Sequence, residues 1–67
     1  MLSARNQFQG TIKSVKLGNV MAEIVVTVGG GLEIVSAITR TSAEHMGLKP
    51  GDQVSAVIKS TEVLIDK

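Results

Sequence analysis

Cysteine is absent from this 67-residue chain, so it can build neither a disulfide framework nor a thiolate zinc site. Tryptophan and tyrosine are also missing, and Phe8 is the one aromatic residue. Modules that bind single-stranded nucleic acid stack bases on aromatic side chains over a basic groove. This chain has almost nothing to stack on. Its net charge is +1, from seven basic and six acidic residues, which leaves no material for a basic stripe. His45 is the one histidine, which excludes an imidazole zinc cluster within a single chain. No apolar run approaches the ~20 residues needed to cross a bilayer. Met1 to Gln7 lacks the apolar stretch of a signal peptide. The composition therefore predicts a cytoplasmic location, with neither nucleic acid nor membrane as partner.

The length allows one domain. A domain this small buries only about 60% of the surface its unfolded chain exposes. Such chains usually add disulfides, a structural metal or oligomerisation. With the first two excluded, oligomerisation remains. Hydrophobic residues make up 43% and charged residues 19%, so the core must come from Val, Ile, Leu, Ala and Met.

Gly18-Asn19, Gly29-Gly30-Gly31 and Pro50-Gly51 punctuate a pattern that is mostly β. Between Val20 and Val28, Val20, Ala22, Ile24, Val26 and Val28 share one face, and Met21, Glu23, Val25 and Thr27 the other. The three glycines suit a hairpin turn, followed by a strand from about Glu33 to Thr39 with Leu32, Ile34, Ser36 and Ile38 on one side. Gln7 to Lys16 reads as the first strand, with Phe8, Gly10 and Ile12 facing one way and Gly10 marking a bend or bulge. Thr41 to Gly47 reads as a short helix, with Thr41 as N-cap, Glu44 completing a capping box and Gly47 as C-cap. Gln53 to Ile58 and Glu62 to Asp66 read as two last strands. The expected fold is all-β: a small five-stranded OB-like barrel with one short helix between strands 3 and 4.

The other strand faces are also apolar. Met21, Val25, Val35, Ala37, Val57 and Leu64 are expected to point away from the core. At roughly 25 cal/mol per Å² of apolar area, covering them by association is worth several kcal/mol. Scattered exposed aliphatics are also ordinary, so the argument rests on their number in so small a chain.

Three segments collect hydrogen-bond donors. Ser3-Ala4-Arg5-Asn6-Gln7 offers a hydroxyl, a guanidinium and two amides. Lys59-Ser60-Thr61 offers an ammonium and two hydroxyls. Thr39-Arg40-Thr41-Ser42 adds hydroxyls, another guanidinium and the free N–H groups of a helix start. Arg and Lys only donate, and hydroxyls can. A set of donors suits a fully deprotonated oxyanion, and two cations match a dianion. A protonated anion would leave a buried donor unpaired, at about 1–3 kcal/mol. The competing reading is ordinary: loop Ser and Thr usually cap turns and helices, and a strand-end Lys or Arg is usually solvated.

Catalytic and nucleotide-binding patterns fare worse. Lys59-Ser60 ends like a phosphate-binding loop, but the glycine-rich stretch before it is missing. Gly29-Gly30-Gly31 belongs to a hairpin. His45 has no carboxylate partner beyond its neighbour Glu44, so no Ser-His-Asp set is convincing and His45 reads as a surface residue. Glu23, Glu33 and Glu62 read as solvated strand positions rather than an acid–base pair. The chain is expected not to be an enzyme.

Ser3-Ala4-Arg5-Asn6-Gln7, Gly10, Val20-Met21-Ala22-Glu23, Gly29-Gly30 and the run Ala56 to Val63 together resemble the molbindin, or Mop domain, family. The likeness covers essentially the whole chain, so residues 1–67 are expected to form a single, free-standing Mop domain. The resemblance implies an OB-like fold assembled as a homohexamer, a trimer of dimers, that binds molybdate or tungstate at subunit interfaces and uses no organic cofactor. It implies a principal site formed by Ser3, Ala4 through its backbone, Arg5, Lys59 and Ser60, with Thr39 and Ser42 as the helix-start hydroxyls. It further implies a second site at Gly18, Asn19 and Val20, through backbone N–H groups, with no metal ligated directly by side chains. The function expected is storage and homeostasis of molybdenum. The alternative is an OB-fold nucleic-acid-binding module.

Overall fold

A computed structural model describes residues 5–67. Four strands form one antiparallel sheet: β1 (Asn6–Leu17), β2 (Met21–Val28), β3 (Glu33–Thr39) and β4 (Gln53–Ile58). Their order is β3-β2-β1-β4. One helix, α1 (Arg40–Met46), links β3 to β4. The sheet curls into a half-barrel rather than a closed one.

The alternation read from β2 sets the inner face. Ala22, Ile24 and Val26 are buried, and Ile12 of β1 and Ala43 of α1 complete the core. Val15, Val28, Ile38, Leu48 and Val54 pack around them. Burying each Ile side chain fully is worth about 1.5–3 kcal/mol. Val20, expected on this face, lies in the turn before β2 and is exposed. Leu32, expected with Ile34, lies in the loop before β3 and is exposed too. Phe8, grouped with Gly10 and Ile12, is 42% exposed because it lies beyond the reach of β2, whose pairing begins at Gly10.

The bulge sits elsewhere than expected. The register against β2 shifts between Ile12 and Ser14, so Lys13 is the extra residue. Two residues then oppose one, and the inward parity switches from even to odd. Gly10 and Ile12 oppose Val28 and Val26, whereas Val15 opposes Ile24. Lys13 is left outside, 2.6 Å from Glu33. Gly10 has a different task. It pairs with both Val28 and Val54, and a Cβ there would lie 2.5 Å from the Thr27 carbonyl oxygen. Only a residue without a side chain lets β2 approach so closely.

The glycine turn forms as expected, with positive φ at Gly30 and Gly31 and Val28 N–H donating to Leu32 O at 2.8 Å. The helix starts earlier than the capping pattern of Thr41 and Glu44 implies. Thr39 is the N-cap: its Oγ1 accepts from Ser42 N–H at 3.1 Å. Glu44 instead accepts from Arg40 Nε at 3.3 Å, one turn apart. Gly47 is the C-cap, as read.

The expected fifth strand, Glu62 to Asp66, does not form in the single chain. After β4 a short 3-10 turn spans Ser60–Glu62, and residues 63–67 have no regular structure. A strand needs a neighbour to pair its backbone, and the turn carries this segment away from the sheet. Leu64 and Ile65 are each 90% exposed.

Candidate functional site

Register decides which of the predicted residues meet. Asn6 pairs with Ile58 at the end of the β1–β4 ladder. Arg5 immediately precedes that pair and Lys59 follows it, so Arg5, Lys59 and Ser60 cluster at one end of the sheet, all exposed. Ser3 and Ala4 lie outside the described residues.

Thr39 and Ser42 lie at the other end. Thr39 pairs with Met21, next to Ala22, which opposes Leu17 at the far end of β1. The twelve-residue β1 therefore separates the helix-start hydroxyls from Arg5 and Lys59. At the usual rise per residue that is roughly 36 Å along the strand. Among the described residues, a single chain thus does not unite Thr39 and Ser42 with Arg5, Lys59 and Ser60; it presents two separate groups of donors.

The helix-start hydroxyls have local work. Thr39 Oγ1 accepts from Ser42 N–H and donates to Ser42 Oγ at 2.8 Å. The Thr39 hydroxyl is therefore engaged on both counts. Ser42 accepts with its hydroxyl oxygen and keeps its own proton to donate.

The Gly18-Asn19-Val20 turn is tightly held. Gly18 N–H donates to Met21 O at 2.8 Å. Arg40 clasps the turn from α1, its N–H donating to Val20 O at 2.8 Å and its guanidinium Nη1 to Gly18 O at 3.2 Å. The Gly18 amide is thereby spent inside the turn, which leaves Asn19 and Val20 as the backbone donors the second predicted site could use. A shallow pocket of about 340 Å³ lies beside the turn, lined in part by Lys16, Gly18 and Glu23. Arg40 lies in a donor-rich segment, yet nothing in the sequence singles it out as a site residue. Its role in fixing the turn depends on a contact between residues 22 positions apart, which no local pattern signals.

A second loop is fastened on the opposite flank. The Lys49 ammonium lies 3.1 Å from Asp52 Oδ1, and Lys49 N–H donates to Asp52 Oδ2 at 3.1 Å. The hydrogen bond from the Lys49 side chain, then that from its backbone, hold the Asp52 carboxyl below its ordinary value. The loop docks on β1 through Ile12 N–H to Asp52 O and Gly51 N–H to Ile12 O. Among the described residues, no three His, Cys, Asp or Glu side chains gather as a metal site.

The described residues form a small β-domain with donor-rich loops at both ends of a curled sheet. The chain belongs to the TOBE domain family, which matches residues 2–65. It is 47% identical to molybdenum-pterin-binding protein 3 of Clostridium pasteurianum over 96% of this chain and 94% of that protein. The structure of MopII from the same organism superimposes with a TM-score of 0.95 at 43% identity, covering both chains fully. That of a molybdate-binding protein from Sporomusa ovata gives a TM-score of 0.92 at 42% identity, over all of this chain and 98% of the other. The family resemblance carried by the opening and closing motifs is thus met by its relatives, whose names are those of binding proteins.

Proposed function

We propose that this chain binds molybdate or tungstate reversibly, at sites closed between copies of itself, and serves storage and homeostasis of molybdenum in the cytoplasm. The observation that carries this reading is the split of the donor set. Arg5, Lys59 and Ser60 collect at one end of β1, next to the segment bearing Ser3 and Ala4, while Thr39 and Ser42 lie at the other. Among the described residues neither half is a complete cage, and a second copy can supply what the first lacks. The name of the Sporomusa ovata relative supports the ligand class.

The chemistry is charge-assisted hydrogen bonding to an anion whose oxygens only accept. Cations from Arg5 and Lys59 balance the two negative charges. Ser3, Ser60 and the Ala4 backbone N–H give directional donors. The Clostridium relative's name joins molybdenum to a pterin. The oxyanion alone is the better fit here, because a flat heterocycle favours an aromatic face and Phe8 is the one aromatic side chain. Turn amides at Asn19 and Val20 are the candidate second site. A homohexamer, as a trimer of dimers, is the assembly the family resemblance favours.

The test is titration calorimetry of the full chain with molybdate, tungstate, sulfate and a reduced pterin. Molybdate and tungstate are expected to bind and sulfate not to. Arg5→Ala and Lys59→Ala are each expected to weaken molybdate at least tenfold, about 1.4 kcal/mol. Unchanged affinity in both variants would remove this site, and binding of the pterin alone would replace the ligand.

A further inference from the structure

We infer, on the reading of the Asn19 and Val20 amides as an oxyanion site, that Arg40 is the positioning residue of that site: it holds the Gly18-Asn19-Val20 turn so that both amides face outward. Arg40 opens α1, and its backbone N–H donates to Val20 O at 2.8 Å. Its guanidinium donates from Nη1 to Gly18 O at 3.2 Å. Its Nε donates to Glu44 Oε2 at 3.3 Å, one helical turn on, which fixes the plane of the guanidinium fork. One residue of α1 thus holds two carbonyls of the turn. The turn itself stays accessible, with Val20 72% exposed.

Peptide geometry converts this hold on carbonyls into a direction for amides. Among the described residues every peptide bond is trans. In a trans unit the C=O of one residue and the N–H of the next point in opposite directions. Gly18 O and Asn19 N–H share one such unit, so drawing Gly18 O onto the guanidinium aims Asn19 N–H away from it. The unit of Val20 O and Met21 N–H is pinned by the Arg40 backbone. The unit that carries Val20 N–H lies between these two and has little freedom left. Among the described residues, neither Asn19 N–H nor Val20 N–H donates to a backbone acceptor. Gly18 has no side chain to resist rotation of the unit that follows it, so without the Nη1 bond that unit can turn over and take Asn19 N–H off the outer surface. A donor pair aligned in advance meets an anion without first losing conformational freedom. The principal site does not use this side chain. Arg5, Lys59 and Ser60 lie at the far end of β1, and Thr39 and Ser42 are held by their own cap.

The test follows backbone amide resonances of the isotope-labelled full chain through a titration with molybdate. Asn19 and Val20 report on the turn, and Ser60 reports on the principal site. Arg40→Ala is expected to raise the molybdate concentration needed at Asn19 and Val20 about fivefold or more, the size of one lost hydrogen bond to a charged group, and to leave Ser60 unmoved. Arg40→Met keeps the length of the stem without a donor and is expected to behave in the same way; it carries the test if the alanine variant does not fold. Arg40→Lys, whose ammonium can still donate to Gly18 O, is expected to recover most of the loss. An unchanged turn response in the variants without a donor overturns the inference and leaves both sites in place. An equal loss at Asn19, Val20 and Ser60 overturns it too, because a merely structural role moves both sites alike. A turn that ignores molybdate in the unaltered chain, while Ser60 responds, sinks the second site and the role of Arg40 with it but spares the principal site. Silence at all three amides would sink the oxyanion reading as a whole.

Discussion

The two sides of the sheet differ sharply. Around β1 and β2 the chain is self-sufficient: Ile12, Ala22, Ile24 and Val26 are nearly inaccessible, and α1 sets Ala43 against them. Around β3 and β4 it is unfinished, with bare edges, an open slot and two aliphatic side chains almost wholly in water. The same alternating pattern made both sides. The difference lies in pairing, because β1 and β2 each have two neighbours and β3 and β4 have one. A chain of this size cannot surround every apolar face it makes, and it concentrates the deficit along one seam.

The comparison breaks most sharply in the closed side. Ile24→Ala removes a buried side chain at the centre and is expected to cost about 2–5 kcal/mol, read by chemical denaturation at fixed protein concentration. A loss below about 1 kcal/mol would mean that the closed side is not the principal support. Gly10→Ala probes the same side differently. Its Cβ would press on the Thr27 carbonyl and on Val26 Cγ1, with β4 paired on the other flank. Separating β1 from β2 is expected to cost about 1–3 kcal/mol. Tolerance of alanine there would show that the strands part cheaply.

Smaller effects sharpen the contrast between the ends. Thr39→Ala deletes the cap on Ser42 N–H and is expected to cost about 1 kcal/mol, with Thr39→Ser close to wild type. If Thr39 also meets the oxyanion, calorimetry will show weaker molybdate binding in the alanine variant while the serine variant is spared. The smallest effect concerns Asp52. Its carboxyl is held below the ordinary value by Lys49, so its contribution is full above the unfolded value, about 3.9, and fades as pH falls through the lower folded value. Denaturation followed from pH 6 to pH 2 is expected to decline less for Asp52→Asn than for wild type. Parallel curves would show that the Lys49 contacts do not hold the loop at the start of β4.

Much of the fold was legible because period and turn chemistry are local. The β2 face, the glycine hairpin, β3 and β4 follow from alternation and breaks between residues 20 and 58. The bulge was misplaced, since Gly10 carries the sequence signal whereas Lys13 is extruded by the packing of Ile12 and Val15 against β2. The N-cap moved from Thr41 to Thr39 because strand exit and helix entry share residues, and both positions hold the same residue type. For the site, the chemistry of the donors was readable and their placement was not. Nothing local says that Arg5 and Lys59 lie at one end of a long strand and Thr39 at the other.

By itself, then, the sequence determined the strands, the apolar faces and the stock of donors, since each depends on neighbours a few positions away. Tertiary structure alone decided that the sheet stays open, that the tail leaves it, and that the donors fall into two separated groups. Those outcomes depend on which backbones pair across dozens of residues, and the energy of that pairing is not written in any short window of the chain.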